Sequence, residues 1–268
     1  FVYVHIGDTV VRDIFAGTGY NHRAVVSRID STMKPASFNT GKVVTVRMST
    51  KHFTDGKGSN IIGMLEGTDP VLKGETIIIG AHLDHMGMCY ELIPGANDNA
   101  SAVAVMMGVA KALAVNKITL KRSVMFLSFG AEEQGIMGAY EYIKRPVVPL
   151  EKSVLLNMDG VGIGHSIRAA AGTNYPILWS YVEDANQKYI HRPLSTNYFS
   201  NLGRPRLDAA RFLSAGVPSL SFSTYGSANY YHIPLDNLDI IKPEIMEDLC
   251  QLLFITVVNM ANSPDPLR

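Results

Sequence analysis

Five residues with the chemistry to hold divalent cations fall at five separated points of this chain: His82, Asp98, Glu133, Asp159 and His232. Taken singly, each has an ordinary explanation. An aspartate at the head of a helix caps it, a glutamate in a first turn suits the helix macrodipole, and a histidine is often a hydrogen-bonded core residue. Gathered in one place, however, carboxylates carry a large desolvation penalty unless cations or donors compensate them. Two histidines with three acids, and no cysteine, suit zinc better than magnesium, which prefers oxygen ligands and retained water. With Asp98 shared, each of two ions would receive it plus one histidine and one further acid, leaving a position open for water.

The neighbours of these residues suggest supporting roles. Adjacent acids do not easily bind one ion, so of Glu132 and Glu133 one is expected to stay free of metal. A free carboxylate beside an activated water is a general base, and once protonated it can donate to a leaving amine. Asp84 lies two residues after His82 at a strand end, on the same side, where it is expected to accept from the second ring nitrogen and set the tautomer. Asp236, four residues after His232, is expected to do the same for that ring.

The elements that must position these groups can be read from apolar runs and turns. Strands are expected over 42–49, 60–66, 76–81, 123–129, 153–157 and 219–223, with a further short strand opening the chain. Helices are expected over 99–115, 133–144, 174–190, 207–215 and 243–262, the last opened by Pro243. Alternating strands and helices predict a three-layer αβα sandwich with a mostly parallel, mixed central sheet. In such sheets ligands bind beyond the carboxyl ends of the strands. His82, Glu132-Glu133 and Asp159 each follow within a few residues of an expected strand's end, and His232 follows the strand 219–223 through the loop TYGSANYY.

Composition narrows the partners. The chain has 268 residues, 24 Lys+Arg against 24 Asp+Glu, and 47% hydrophobic residues. Zero formal charge offers no electrostatic footprint for nucleic acid or an anionic membrane, and apolar runs such as 102–110 are too short to span a bilayer. Cys89 and Cys250 have no metal-binding spacing, and would pair only in an exported protein. The chain opens at Phe1 inside what reads as a folded stretch, so an upstream segment, including a signal peptide, is expected, with a secreted or periplasmic location.

The segments GAHLDHMG, PGANDNASAV, GAEEQGIMGA, NMDGVG and YYHIPLDNLD, in this order from Asn60 to the C-terminus, resemble the motif series of the dizinc exopeptidases. That family comprises bacterial leucyl aminopeptidases, glutamate carboxypeptidases and glutaminyl cyclases, and the resemblance implies a phosphorylase/hydrolase-like fold. It implies one Zn2+ held by His82 and Asp159, a second by Glu133 and His232, Asp98 bridging them, and Glu132 as the general base. It also implies a peptide substrate. The opening FVYVHIGDTVVRDIFAG resembles the closing edge of a protease-associated domain, so residues 1–40 are expected to be a remnant of one and 41–268 the catalytic domain.

Departures from the family pattern bear on specificity. Ala102 stands where a glycine is usual, Asp236-Asn237 where Asp-Thr is usual, and of a common SDHxPF segment only Asp208 and Phe212 remain. Release of N-terminal residues is the leading expectation, with Glu132, Glu133 or Asp208 facing the substrate amine and Tyr230 or Tyr231 donating to the oxyanion. Phe199, Phe212, Tyr225, Tyr230 and Tyr231 are the expected pocket wall. The alternatives are a carboxypeptidase for acidic peptides, served by Arg204, Arg206 and Arg211, a single-zinc glutaminyl cyclase, and a metal-free receptor. The sequence leaves oligomeric state open.

Overall fold

The computed structural model describes residues 6–47, 49, 51, 53–89, 91–199 and 206–267. Its contacts divide the chain into two compact units, Phe1–Gly56 and Lys57–Arg268. The first holds α1 (Asp8–Phe15) and α2 (His22–Thr32). The Asn21 side chain caps α2 by accepting from Ala24 N–H at 3.1 Å, and Tyr20 stacks on Phe38. The expected opening strand lies partly outside the described residues, and from Asp8 onward the backbone is helical instead. The expected strand over 42–49 is also absent from its described residues. Val43 and Val44 are exposed there, and a β-branched run without a ladder partner has nothing to hold it extended.

The second unit contains β1 (Ile61–Leu65), β2 (Thr76–His82), β3 (Gly87–Met88), β4 (Leu92–Ile93), α3 (Ser101–Val115), β5 (Ser123–Phe129) and α4 (Met137–Lys144). Then come β6 (Ser153–Met158), β7 (Ser166–Ala170), α5 (Pro176–Ala185), β8 (Leu194–Asn197), α6 (Asp208–Ser214), β9 (Ser219–Tyr225) and α7 (Pro243–Asn262). Seven strands form one mixed sheet in the order β1-β5-β2-β6-β9-β7-β8. The four central strands run parallel, while β1 and β7 are antiparallel to their inner neighbours.

Period-two alternation splits the central strands between two cores. Ile77, Ile79, Val124, Val154 and Leu156 face α3, α5 and α7, whereas Ile78, Met125, Leu127 and Leu155 face α4 and α6. Burial on both faces is why these strands read as continuous apolar runs. The short β7 and β8, SIRAA and LSTN, carry no such run and were not expected. The stretch Ala96–Val115 has the length and composition to cross a membrane, against expectation. In the fold Ala102, Val105, Val109 and Leu113 of that stretch are buried in the sheet's core.

Two helix boundaries differ from expectation in ways that matter below. α4 begins at Met137 rather than Glu133, because Ala131, Gly135 and Ile136 take positive φ and fold 131–136 into a turn. Likewise Ala96–Ala100 is a wide, irregular turn with non-helical angles at Asp98 and Asn99, so α3 starts only at Ser101 and Asp98 is not its cap. The expected helix over 174–190 is α5 closed by a wide turn at Asn186–Ile190.

At the opposite edge of the sheet from these turns, the buried Arg122 ties the C-terminus down. It donates to Glu75 at 2.6 Å and to the carbonyls of Met260, Ser263 and Asp265 at 2.6–2.9 Å. Replacing it by methionine strands these acceptors, so Arg122→Met should cost about 3–5 kcal/mol, read as a lower midpoint in chemical denaturation.

Candidate metal centre

Parallel packing of β2, β5, β6 and β9 places their carboxyl ends along one edge, and the five expected ligands meet there. His82, the last residue of β2, is 1% exposed. Its Nδ1 faces the backbone carbonyl of Asp84 at 3.0 Å, which puts a hydrogen on Nδ1 and turns Nε2 toward the acids. That nitrogen lies 3.3 Å from Asp98 Oδ1 and 3.8 Å from Asp159 Oδ2. Across from it, His232 Nε2 lies 3.4 Å from Asp98 Oδ2 and 3.1 Å from Glu133 Oε1. Asp98 therefore turns one oxygen to each histidine.

The Asp84 side chain does not do what the spacing suggested. It is 3.9 Å from the His82 ring and instead accepts from the backbone N–H groups of Glu132 and Glu133 at 2.9 and 3.1 Å. It thus folds the 131–136 turn, while its carbonyl sets the tautomer. Asp236 likewise does not reach the His232 ring. Its carboxylate accepts from Asn97 N–H at 2.7 Å and Asp98 N–H at 3.0 Å, and its carbonyl from Ala96 N–H. The turn carrying Asp98 is clipped from its other side to the strand end carrying Asp159. Asn99 donates to Met158 O and accepts from Gly160 N–H, and Asn97 Oδ1 accepts from Gly162 N–H. These contacts hold the NDNAS turn against the NMDGVG strand end.

One residue was missed. His85, three after His82, has a side chain only 8% exposed, with Nδ1 2.8 Å from Glu133 Oε1 and 3.9 Å from Asp98 Oδ1. The second histidine of HLDH was its only signal, and one histidine beside a stronger candidate attracts no attention by spacing. Among the described residues, two clusters have the donors and distances for a metal ion: His82, Asp98 and Asp159, and His85, Asp98, Glu133 and His232.

Electrostatics at this edge favour a cation. Burial alone would lower the His82 imidazole, yet hydrogen bonds to Asp159 and Asp98 hold it up to about 12. The carboxylates around the ring draw positive charge to this point that strongly. Burial pushes Glu132 up to about 7; His82 opposes this, and Asp159, Glu133 and Asp98 add to it. Glu133 Oε1 is buried without a hydrogen-bond partner, a costly state for a carboxylate oxygen unless a cation faces it. The donor set, nitrogen and carboxylate oxygen, fits zinc.

A cavity of about 450 Å³ opens on the centre, lined among others by Asp98, Glu132, Asp159, Arg168, Phe199 and Arg206. Tyr225 and Tyr230 line a second cavity beside it, and Tyr231 reaches both. Phe212 does not belong to the wall: it is buried in the core between Phe129 and Tyr142. Asp208 is 1% exposed, and burial holds its carboxyl well above the usual range, which ill suits pairing with a substrate amine. Arg211 binds the carbonyl of Gly135, and Arg204 lies outside the described residues. Cys89 and Cys250 are free thiols.

Residues 60–257, more than half of the chain, match Peptidase family M28. The chain belongs to this family. It is similar to a vacuolar membrane protease of Candida tropicalis, 27% identical over 81% of this chain and 23% of that protein. It is also similar to aminopeptidase YwaD of Bacillus subtilis, 27% identical over 78% of this chain and 46% of the relative. The solved structure of BSAP, a zinc aminopeptidase from Bacillus subtilis, superposes with a TM-score of 0.67 at 25% identity, covering 80% of this chain and 53% of that one. The M28 chain described here thus spans between about a quarter and about half of these relatives.

Proposed function

We propose that this M28 unit hydrolyses peptide bonds and releases N-terminal residues, using two zinc ions shared by Asp98. The supporting observation is the position of Asp98, with one oxygen facing His82 and the other His232. His82 and Asp159 would hold one ion, and Glu133 and His232 the other. Bound there, the ions would polarise the scissile carbonyl and acidify water.

The remaining steps belong to this chain's own side chains. Glu132 lines the cavity with Asp98 and Asp159 and carries no ligand role, so its carboxylate takes the proton from the attacking water. It then delivers that proton to the departing amine nitrogen. Asp84, by binding the N–H groups of Glu132 and Glu133, keeps base and ligand in fixed register. Tyr231, stacked on His232 at 3.6 Å between ring centroids, is placed to steady that ring or to meet the substrate oxygen.

Aminoacyl-anilides test this reading. Hydrolysis should disappear on chelation and return with zinc at two per chain. Turnover of C-terminal glutamate peptides alone would overturn it, as would one zinc per chain with cyclisation of glutaminyl peptides. A secreted or periplasmic location remains part of the proposal. The Candida relative carries a membrane in its name, so an anchor in a longer chain is compatible with it, and fractionation of the producing cell separates the two.

Arg168 and Arg206 line the same cavity as Glu132, and their charge suits an acidic residue or a carboxylate on the leaving side of the substrate. Arg168→Ala should raise KM for such substrates roughly 2- to 5-fold, about the worth of one partly exposed charge pair. The kcat for neutral substrates should not move.

A further inference from the structure

Among the described residues, His85 is a strong donor at the centre that the two-zinc reading leaves unused. Both of its ring nitrogens, and Glu133 Oε1 beside it, are buried without a hydrogen-bond partner. Nδ1 and Oε1 are 2.8 Å apart, and donors from His85, Glu133, His232 and Asp98 all lie within 4.8 Å of one another, close enough to face one ion.

The spacing supports this. Neighbouring ligand atoms on a tetrahedral zinc, with bonds of about 2.0–2.1 Å, stand roughly 3.3 Å apart. His85 Nδ1 to Glu133 Oε1, Glu133 Oε1 to His232 Nε2 and His232 Nε2 to Asp98 Oδ2 measure 2.8, 3.1 and 3.4 Å, which brackets that value. Room for the ring is built into the backbone. Gly95 takes φ +72°, and a Cβ on it would stand 2.4 Å from His85 Cγ. The rings of His85 and His232 then meet edge to face, with centroids 5.4 Å apart.

We infer that His85 is a fourth protein ligand at the site of Glu133 and His232, which makes that site closed, while the three-ligand site of His82 and Asp159 stays open. This inference rests on the two-zinc reading above. Four protein donors and no vacant position are the pattern of structural zinc, and three with one position left are the pattern of catalytic zinc. Of the open site's residues Asp159 lines both cavities and the base Glu132 the larger, with His82 buried behind them, whereas His85, Glu133 and His232 line neither. Substrate therefore approaches the open site, where the base stands.

Metal binding by the whole chain tests this without recourse to activity. After removal of metal, titration with Zn2+ against a chromophoric chelator should resolve two classes of site at least about 100-fold apart. At one equivalent of zinc, X-ray absorption should count two imidazoles on the bound ion. His85→Ala should weaken the tight class by at least about 100-fold, beyond the 10–100-fold range typical of losing a group that only supports a ligand. A single imidazole on the first zinc overturns the inference, and so does a tight class that survives in a folded His85→Ala chain. The absorption measurement needs no variant, so it decides even if that substitution unfolds the protein. Wild-type chain binding one zinc or none would instead overturn the two-zinc reading itself.

Discussion

Glu132→Gln is expected to lower kcat by about 10²–10⁴-fold, the usual worth of a general base, with zinc content unchanged. The amide keeps the size and most of the packing of the carboxylate but can neither take a proton from water nor return one to an amine. Since Glu132 lies outside both donor clusters, metal analysis of the variant should match wild type. KM should change little, because the lost interaction is made in the transition state. Retention of full kcat in the zinc-loaded variant would remove Glu132 from the mechanism.

Asp236→Ala should destabilise the chain by about 3–6 kcal/mol, which is two buried hydrogen bonds to a charged acceptor at about 1.5–3 kcal/mol each. The carboxylate is 1% exposed and accepts from the N–H groups of Asn97 and Asp98. The loss falls on the turn that aims Asp98, so affinity for both ions should drop with stability. Asp236→Asn keeps one acceptor oxygen and should fall between wild type and alanine in both measurements. If Asp236→Ala unfolds within about 0.5 kcal/mol of wild type, the turn is held by other contacts and this account of Asp98 is wrong.

The two readings of Asp236 show how far sequence reasoning reaches. Four residues past a histidine, an aspartate is plausibly its partner, and only the fold reveals that the same carboxylate serves a turn some 140 positions earlier. His85 is the same lesson reversed. Its neighbours Glu133 and His232 come from other strand ends, so nothing local marked it as a ligand.

What the sequence determined by itself was the sheet's central strands and the gathering of the candidate ligands at one edge. Strands buried on both faces must be continuous apolar runs, and parallel strands must deliver their following residues to one edge, so β2, β5, β6 and β9 with His82, Glu133, Asp159 and His232 were legible from local pattern. The tertiary structure alone decided what depends on long-range backbone pairing. It settled that β7 and β8 are strands despite weak patterns, that Asp84 and Asp236 hold turns rather than imidazoles, and that Gly95 clears space for the His85 ring. Such hydrogen bonds join groups far apart in the chain, and spacing along a sequence carries no record of which distant N–H a carboxylate will meet.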